Sequence, residues 1–251
     1  MSHRLSRRQA LLAPLALAWQ SPSTAYAAGA RTQRLVTPEG VVRVWKPSRY
    51  DPTTAGLLIY VHGLYTDVDQ AWTEHDLPSQ FARSGRNALF VVPAARSEAA
   101  APTPWGPLQA LIDRVARDVP DLPAAGPLVV AGHSGAYKQI ILWLDHPRLH
   151  TVLLLDALYG GQPELGAWLS AAPENRISLI NHDTIPAARD FVAQLPAAVY
   201  RHRCPEHFAS LTAAERDAKV LSMDTRTDHF GIITEGNFLP LLLRWSPLPA
   251  R

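Results

Sequence analysis

Short apolar runs alternate with helically patterned stretches along most of this chain. Leu57–Val61, Ala88–Val92, Leu128–Ala131, Thr151–Leu155, Ile177–Ile180 and Lys219–Met223 read as strands. Between and after them, Gln70–Ser84, Leu108–Val119, Gly135–Leu144 and Ala187–Leu195 place apolar residues on one side of a helix. A last helix is expected over Thr234–Trp245, interrupted near Pro240, and Pro186 introduces the helix at Ala187. Val41–Trp45 alternates apolar and polar positions, which suits an antiparallel ribbon with Arg34–Thr37. Strand–helix alternation of this kind predicts a mostly parallel sheet with helices on both faces. The Ala- and Pro-rich stretches Ala99–Pro107 and Pro120–Pro127 read as loops within one domain.

Composition agrees with a folded domain and changes the picture at one end. The 251 residues are 47% hydrophobic and 18% charged, enough for one sizeable core. The net charge of +2 is unevenly placed. Residues 1–27 hold Arg4, Arg7, Arg8 and no acid, and without those three the basic residues fall from 24 to 21 against 22 acidic ones. The body of the chain is therefore near neutral, and no basic stripe points to nucleic acid. Arg7-Arg8 precedes an apolar stretch from Ala10 to Trp19, and Ala25-Tyr26-Ala27 has the form of a cleavage site. Residues 1–27 are thus expected to be an export signal resembling the twin-arginine type, with a general secretory signal as the alternative, and a single domain is expected over 28–251 in the periplasm or outside the cell. The apolar stretch is about half the ~20 residues a spanning helix needs, so no stable membrane span is expected in the mature chain. Cys204 is the single cysteine and makes no internal disulfide.

The chemistry is concentrated where Leu128–Ala131 runs into Gly132-His133-Ser134-Gly135-Ala136 and then into a helical pattern. This is the strand–turn–helix setting of a G-x-S-x-G nucleophile elbow, in which a strained turn exposes a serine hydroxyl above the sheet. Gly132 and Gly135 are the small residues such a turn needs. Ala136 stands where the pattern has a further glycine, a departure of one methyl group. Other strand ends also carry polar residues: His62-Gly63-Leu64-Tyr65, Asp156, Asn181-His182-Asp183 and Asp228-His229-Phe230-Gly231. In open α/β sheets the chemistry lies beyond the carboxyl ends of the strands.

With these motifs in this order, the chain resembles the α/β-hydrolase fold over nearly all of residues 35–245. The resemblance implies a mostly parallel, eight-stranded sheet. It also implies Ser134 as nucleophile, with an acid and a histidine following in that chain order. His229, past the last strand, is the expected general base; His202 and His207 compete if Ala198–Arg201 is the last strand instead. Asp183, at the end of the seventh strand and before a proline, is the expected acid. Asp156, at the end of the sixth, is its rival and is assigned a structural role. Leu64 and Gly135 are expected to supply the oxyanion-hole N–H groups, with Tyr65 and His133 lining the substrate site and His62 holding its loop. About twenty residues separate Leu155 from the seventh strand, too few for an elaborate lid. An open cleft follows, with Trp72, Trp105 and Trp168 either at its rim or in the core.

Ten histidines raise the question of a metal, but no H-E-x-x-H spacing and no cysteine pair is present, so no metal site is expected. With neither a P-loop nor G-x-G-x-x-G after the first strand, no cofactor is expected. The activity implied is exported serine hydrolysis of carboxylic esters, small or polymeric, through an acyl-enzyme. An amidase or peptidase with the same triad, and a non-catalytic envelope binding protein on the same fold, are the alternatives.

Overall fold

The apolar runs become strands because alternate residues feed two separate cores. A computed structural model describes residues 29–205 and 211–251; the export signal over 1–27, Ala28 and His207 lie outside these. In β3 (Gly56–Val61), Leu57, Ile59 and Val61 face one apolar cluster, while Leu58 and Tyr60 face the other. β5 (Leu128–His133) divides in the same way, with Leu128 and Val130 on one side and Val129 and Ala131 on the other. Strands buried on both faces read as continuous apolar runs, which is why the sequence shows them without alternation.

The remaining strands are β1 (Arg31–Thr37), β2 (Gly40–Lys46), β4 (Ala88–Pro93), β6 (Leu149–Leu155), β7 (Arg176–Asn181), β8 (Ala198–Arg201) and β9 (Val220–Asp224). Their order across the sheet is β1-β2-β4-β3-β5-β6-β7-β9-β8. β1 and β2 form the expected antiparallel ribbon, and β2 joins β4 antiparallel. All pairings from β4 through to β8 are parallel. Among the described residues the sheet therefore has nine strands, one more than the eight expected. The extra strand is β8, which pairs outside β9 at the sheet edge. It is short and only half-buried, so its sequence lacks the apolar run that marks the interior strands.

Helices α1 (Val68–Glu74), α2 (Leu77–Ser84), α3 (Leu108–Asp118), α4 (Tyr137–Ile140), α5 (Gln162–Ala171), α6 (Ile185–Ala193), α7 (Ala213–Asp217), α8 (Gly231–Thr234) and α9 (Phe238–Trp245) connect the strands. One expected helix is broken into two. Gln70–Ser84 is divided into α1 and α2 at Asp76, which is left-handed (φ 47°), with Pro78 in the first turn of α2. The last helix starts later than expected and runs unbroken as α9: Pro240 sits in its first turn, where its missing N–H costs nothing, so no interruption follows there, and the left-handed Gly236 (φ 74°) separates α9 from α8. Trp72, Trp105 and Trp168 are all in the core, not at a cleft rim. Between β6 and β7 there is only α5 and its loops. None of the described helices is long and apolar enough to cross a membrane.

Candidate active site

Four residues other than glycine adopt the left-handed backbone region among the described residues, and three lie at the carboxyl ends of neighbouring strands. They are Tyr65 (φ 62°) after β3, Ser134 (φ 56°) after β5 and Asp156 (φ 46°) after β6. Such conformations cost about 1–3 kcal/mol each and persist where the surroundings hold them. At Ser134 the surroundings are close backbones. A Cβ on Gly132 would lie 2.7 Å from the Ala136 Cβ and 2.6 Å from Ile140 Cδ1. A Cβ on Gly63 would lie 2.8 Å from the Ser134 Cβ. Hydrogen is thus required at both positions, while the Ala136 methyl fits because Gly132 faces it. The chain continues from Ser134 as a 3-10 turn into α4, and Ser134 itself is half-buried.

His62 secures the neighbouring loop. Its Nδ1–H donates to the Gly63 carbonyl at 2.8 Å, and its Nε2 accepts from the Ala95 N–H at 3.1 Å. Only a neutral imidazole can do both, and burial lowers its pKa accordingly. The loop so held sets the Leu64 side chain over Gly135, where an added Cβ would meet Leu64 Cγ at 2.7 Å. Residues 64 and 135 are therefore in contact beside Ser134. Tyr65 is 82% exposed at the rim, with its N–H donating to the Ser97 carbonyl at 2.7 Å.

The histidine loop closes on the elbow through His133. This side chain is buried, so it does not present a substrate surface as expected. Its Nε2–H donates to the His229 carbonyl at 2.9 Å, and the two rings lie with centroids 4.5 Å apart. Burial, and next the neighbouring His229, bring the His133 pKa down to about 3. A neutral ring thus braces His229 from the elbow itself. His75, packed edge-on to His133 at 6.1 Å, is lowered to about 4, first by burial and then by His62.

The carboxylate against His229 is Asp156, not Asp183. His229 Nδ1 lies 2.8 Å from Asp156 Oδ2 and 4.0 Å from Asp183 Oδ2. Asp156 is fully buried and also accepts from the backbone N–H groups of His182, Asp183 and Thr184 and from the Thr184 hydroxyl. Burial would raise its pKa, but these donors, with His229 foremost, outweigh it and hold the carboxyl well below the usual range. Asp183 spends its N–H on Asp156 and turns its own half-exposed carboxylate outward. The expected pairing fails for that reason: the loop after β7 wraps around the β6 aspartate.

Tyr159 was missed by the sequence reading. Its hydroxyl lies 3.2 Å from His229 Nδ1 and 3.4 Å from Asp183 Oδ2, and burial, then the two aspartates, raise its pKa. Nothing in the pattern around it marks this position. Asp156, Asp183 and His229 also offer atoms within 4.8 Å of one another, a spacing open to a metal ion. The carboxylate and imidazole of that group are already engaged with each other. His202 belongs to the segment after β8, and no described contact brings it to Ser134. Cys204 is buried, which pushes its thiol up to about 12 and makes it a poor nucleophile at neutral pH.

Solved structures share this fold. The feruloyl esterase module of Clostridium thermocellum, solved as a mutant with sinapinate, superimposes with a TM-score of 0.57 at 12% identity, covering 88% of this chain and 89% of that one. The fluorophosphonate-binding serine hydrolase F of Staphylococcus aureus gives 0.56 at 12% identity, over 86% and 98%. An S-formylglutathione hydrolase from Staphylococcus aureus gives 0.52 at 14% identity, over 86% and 95%. This is the α/β-hydrolase fold. No family model and no curated protein matches the sequence. On an α/β-hydrolase sheet the positions of Ser134, Asp156 and His229 are all strand-end positions, and the extra edge strand β8 lies outside them.

The buried histidines make stability depend on pH. His75 and His133 have pKa values of about 4 and 3, below the ~6.5 of an unfolded chain. Below pH ~6.5 the unfolded state binds more protons, so their contribution is intact above that pH and is lost as pH falls toward 4. Each should contribute a slope of about 1.4 kcal/mol per pH unit in that window. Thermal unfolding measured from pH 8 to 5 should show the midpoint falling below pH ~6.5, and His75→Phe should flatten that fall.

Proposed function

We propose that this protein is a serine hydrolase of carboxylic esters, with Ser134 as nucleophile, His229 as base and Asp156 as the acid. The observation that carries this reading is the His229–Asp156 pair closed onto the left-handed Ser134 turn by His133. The carboxylate only accepts, so His229 holds its proton on Nδ1 and leaves Nε2 as the basic nitrogen.

In the proposed reaction the Ser134 hydroxyl proton passes to His229 Nε2 as Oγ bonds to the ester carbon. The carbonyl oxygen takes up the displaced electron pair, with the Leu64 and Gly135 N–H groups to receive it. Collapse breaks the bond to the alkoxide oxygen, which takes the proton from His229 and leaves as the alcohol. Water then repeats the sequence on the acyl-enzyme. Asp156 keeps the imidazole in one tautomer and stabilises its charged form. The names of the structural neighbours, feruloyl esterases among them, favour esters over amides. Export remains part of this reading. It rests on Arg7-Arg8, the apolar stretch after them and Ala25-Tyr26-Ala27.

A fluorophosphonate probe should label the wild-type protein and leave Ser134→Ala unlabelled; equal labelling would reject the nucleophile. Asp156→Asn should lower kcat on a simple ester by about 10³-fold or more, as loss of the tautomer-fixing carboxylate does elsewhere. Asp183→Asn, half-exposed and screened by solvent, should stay within about fivefold of wild type. Melting curves of both variants separate this effect from unfolding, and the reverse ranking would return the acid to the loop after β7.

A further inference from the structure

Large apolar side chains seldom stay exposed without a partner, and here they are unevenly placed. The strongly exposed ones among the described residues are Val36, Tyr65, Leu142, Tyr159 and Phe230. Three of the five, all of them aromatic, sit on the loops that carry the candidate site. Tyr159 and Phe230 flank His229 directly. Their ring centroids lie 5.9 and 5.2 Å from the imidazole, and both stand at 78° to its plane. The imidazole is braced from the elbow side by buried His133. Tyr159 is 48% exposed and Phe230 66% exposed, so each keeps a bare aromatic surface beside the histidine.

On the hydrolase reading, on which this inference rests, that location defines a chemical role. His229 must deliver its proton to the leaving oxygen across a hydrogen bond of about 2.6–3.2 Å. Whatever is attached to that oxygen then lies within a ring's width of the groups flanking the imidazole. The acyl side lies toward Leu64 and Gly135, where the carbonyl oxygen is held. We infer that Phe230 forms a subsite for the leaving alcohol, and that the preferred alcohols carry a flat aromatic group. The observation behind it is a largely exposed ring upright against the proton-donating histidine. An aromatic pair of this kind is worth enough to show as a preference of up to about tenfold.

The test compares benzyl acetate with propyl acetate, which share the acyl group and have alcohols of similar acidity. Methyl phenylacetate and methyl butanoate, varied only on the acyl side, form the control pair. In the wild type kcat/KM should favour benzyl over propyl acetate by about tenfold, chiefly through KM. Phe230→Ala should reduce that ratio to about two, Phe230→Tyr should restore it, and the acyl-side ratio should not change between the three proteins. Phe230 is exposed, so folding is not at stake in these variants. A wild-type ratio near one, a ratio indifferent to Phe230→Ala, or an effect of Phe230 on the acyl-side pair would each overturn the subsite. Fluorophosphonate labelling separates the two levels. A protein that labels and turns over esters without the preference rejects the subsite alone. One that neither labels nor hydrolyses rejects the hydrolase reading and the subsite with it.

Discussion

The carboxylate of Asp156 is the point on which the site depends. Placing an ionised carboxylate where no water reaches it is unfavourable by several kcal/mol unless donors surround it. Here they come from two segments distant in sequence. The loop after β7 supplies three backbone N–H groups and the Thr184 hydroxyl, and the loop after β9 supplies the His229 imidazole. Each donor lowers the cost of the buried charge, and the charge in turn orders each loop. The ends of β6, β7 and β9 are coupled by one side chain. The left-handed φ of Asp156 is the local strain that directs it there.

A second constraint comes from the opposite side of the site. The elbow at Ser134 and the loop at Tyr65 are strained, and they sit on strands whose residues are buried on both faces. A rigid sheet of this kind can hold strained turns at its edge because neighbouring backbones leave them no room to relax. Gly63 and Gly132 are the positions where that closeness demands the absence of a side chain. The histidines of this edge then divide by what they touch. His62, His75 and His133 are buried and kept neutral, serving as donors and packing rings. His229 alone of these four is paired with a carboxylate.

Much of this was legible in the chain. The strands buried on both faces appear as plain apolar runs, and the elbow is visible because its glycines, its serine and the flanking strand and helix patterns are contiguous. The break at Asp76 was not, because helical periodicity continues across it and a single left-handed aspartate leaves little trace in a pattern of apolar positions. β8 was ambiguous because an edge strand needs no apolar run. His133 lines no substrate surface, because strand alternation turns it under the elbow, where it meets the His229 carbonyl.

By itself the sequence determined the layered α/β architecture, the serine turn and the set of polar residues at the strand ends. These depend on local periodicity and on residues adjacent in the chain. The tertiary structure alone decided which aspartate faces His229. Asp156 and Asp183 both lie just past the carboxyl ends of interior strands. What separates them is which carboxylate the β7 loop encloses and which it turns to solvent, and therefore which one the imidazole can reach. That depends on how two neighbouring loops close over one another across the sheet, a contact between segments that no local pattern records.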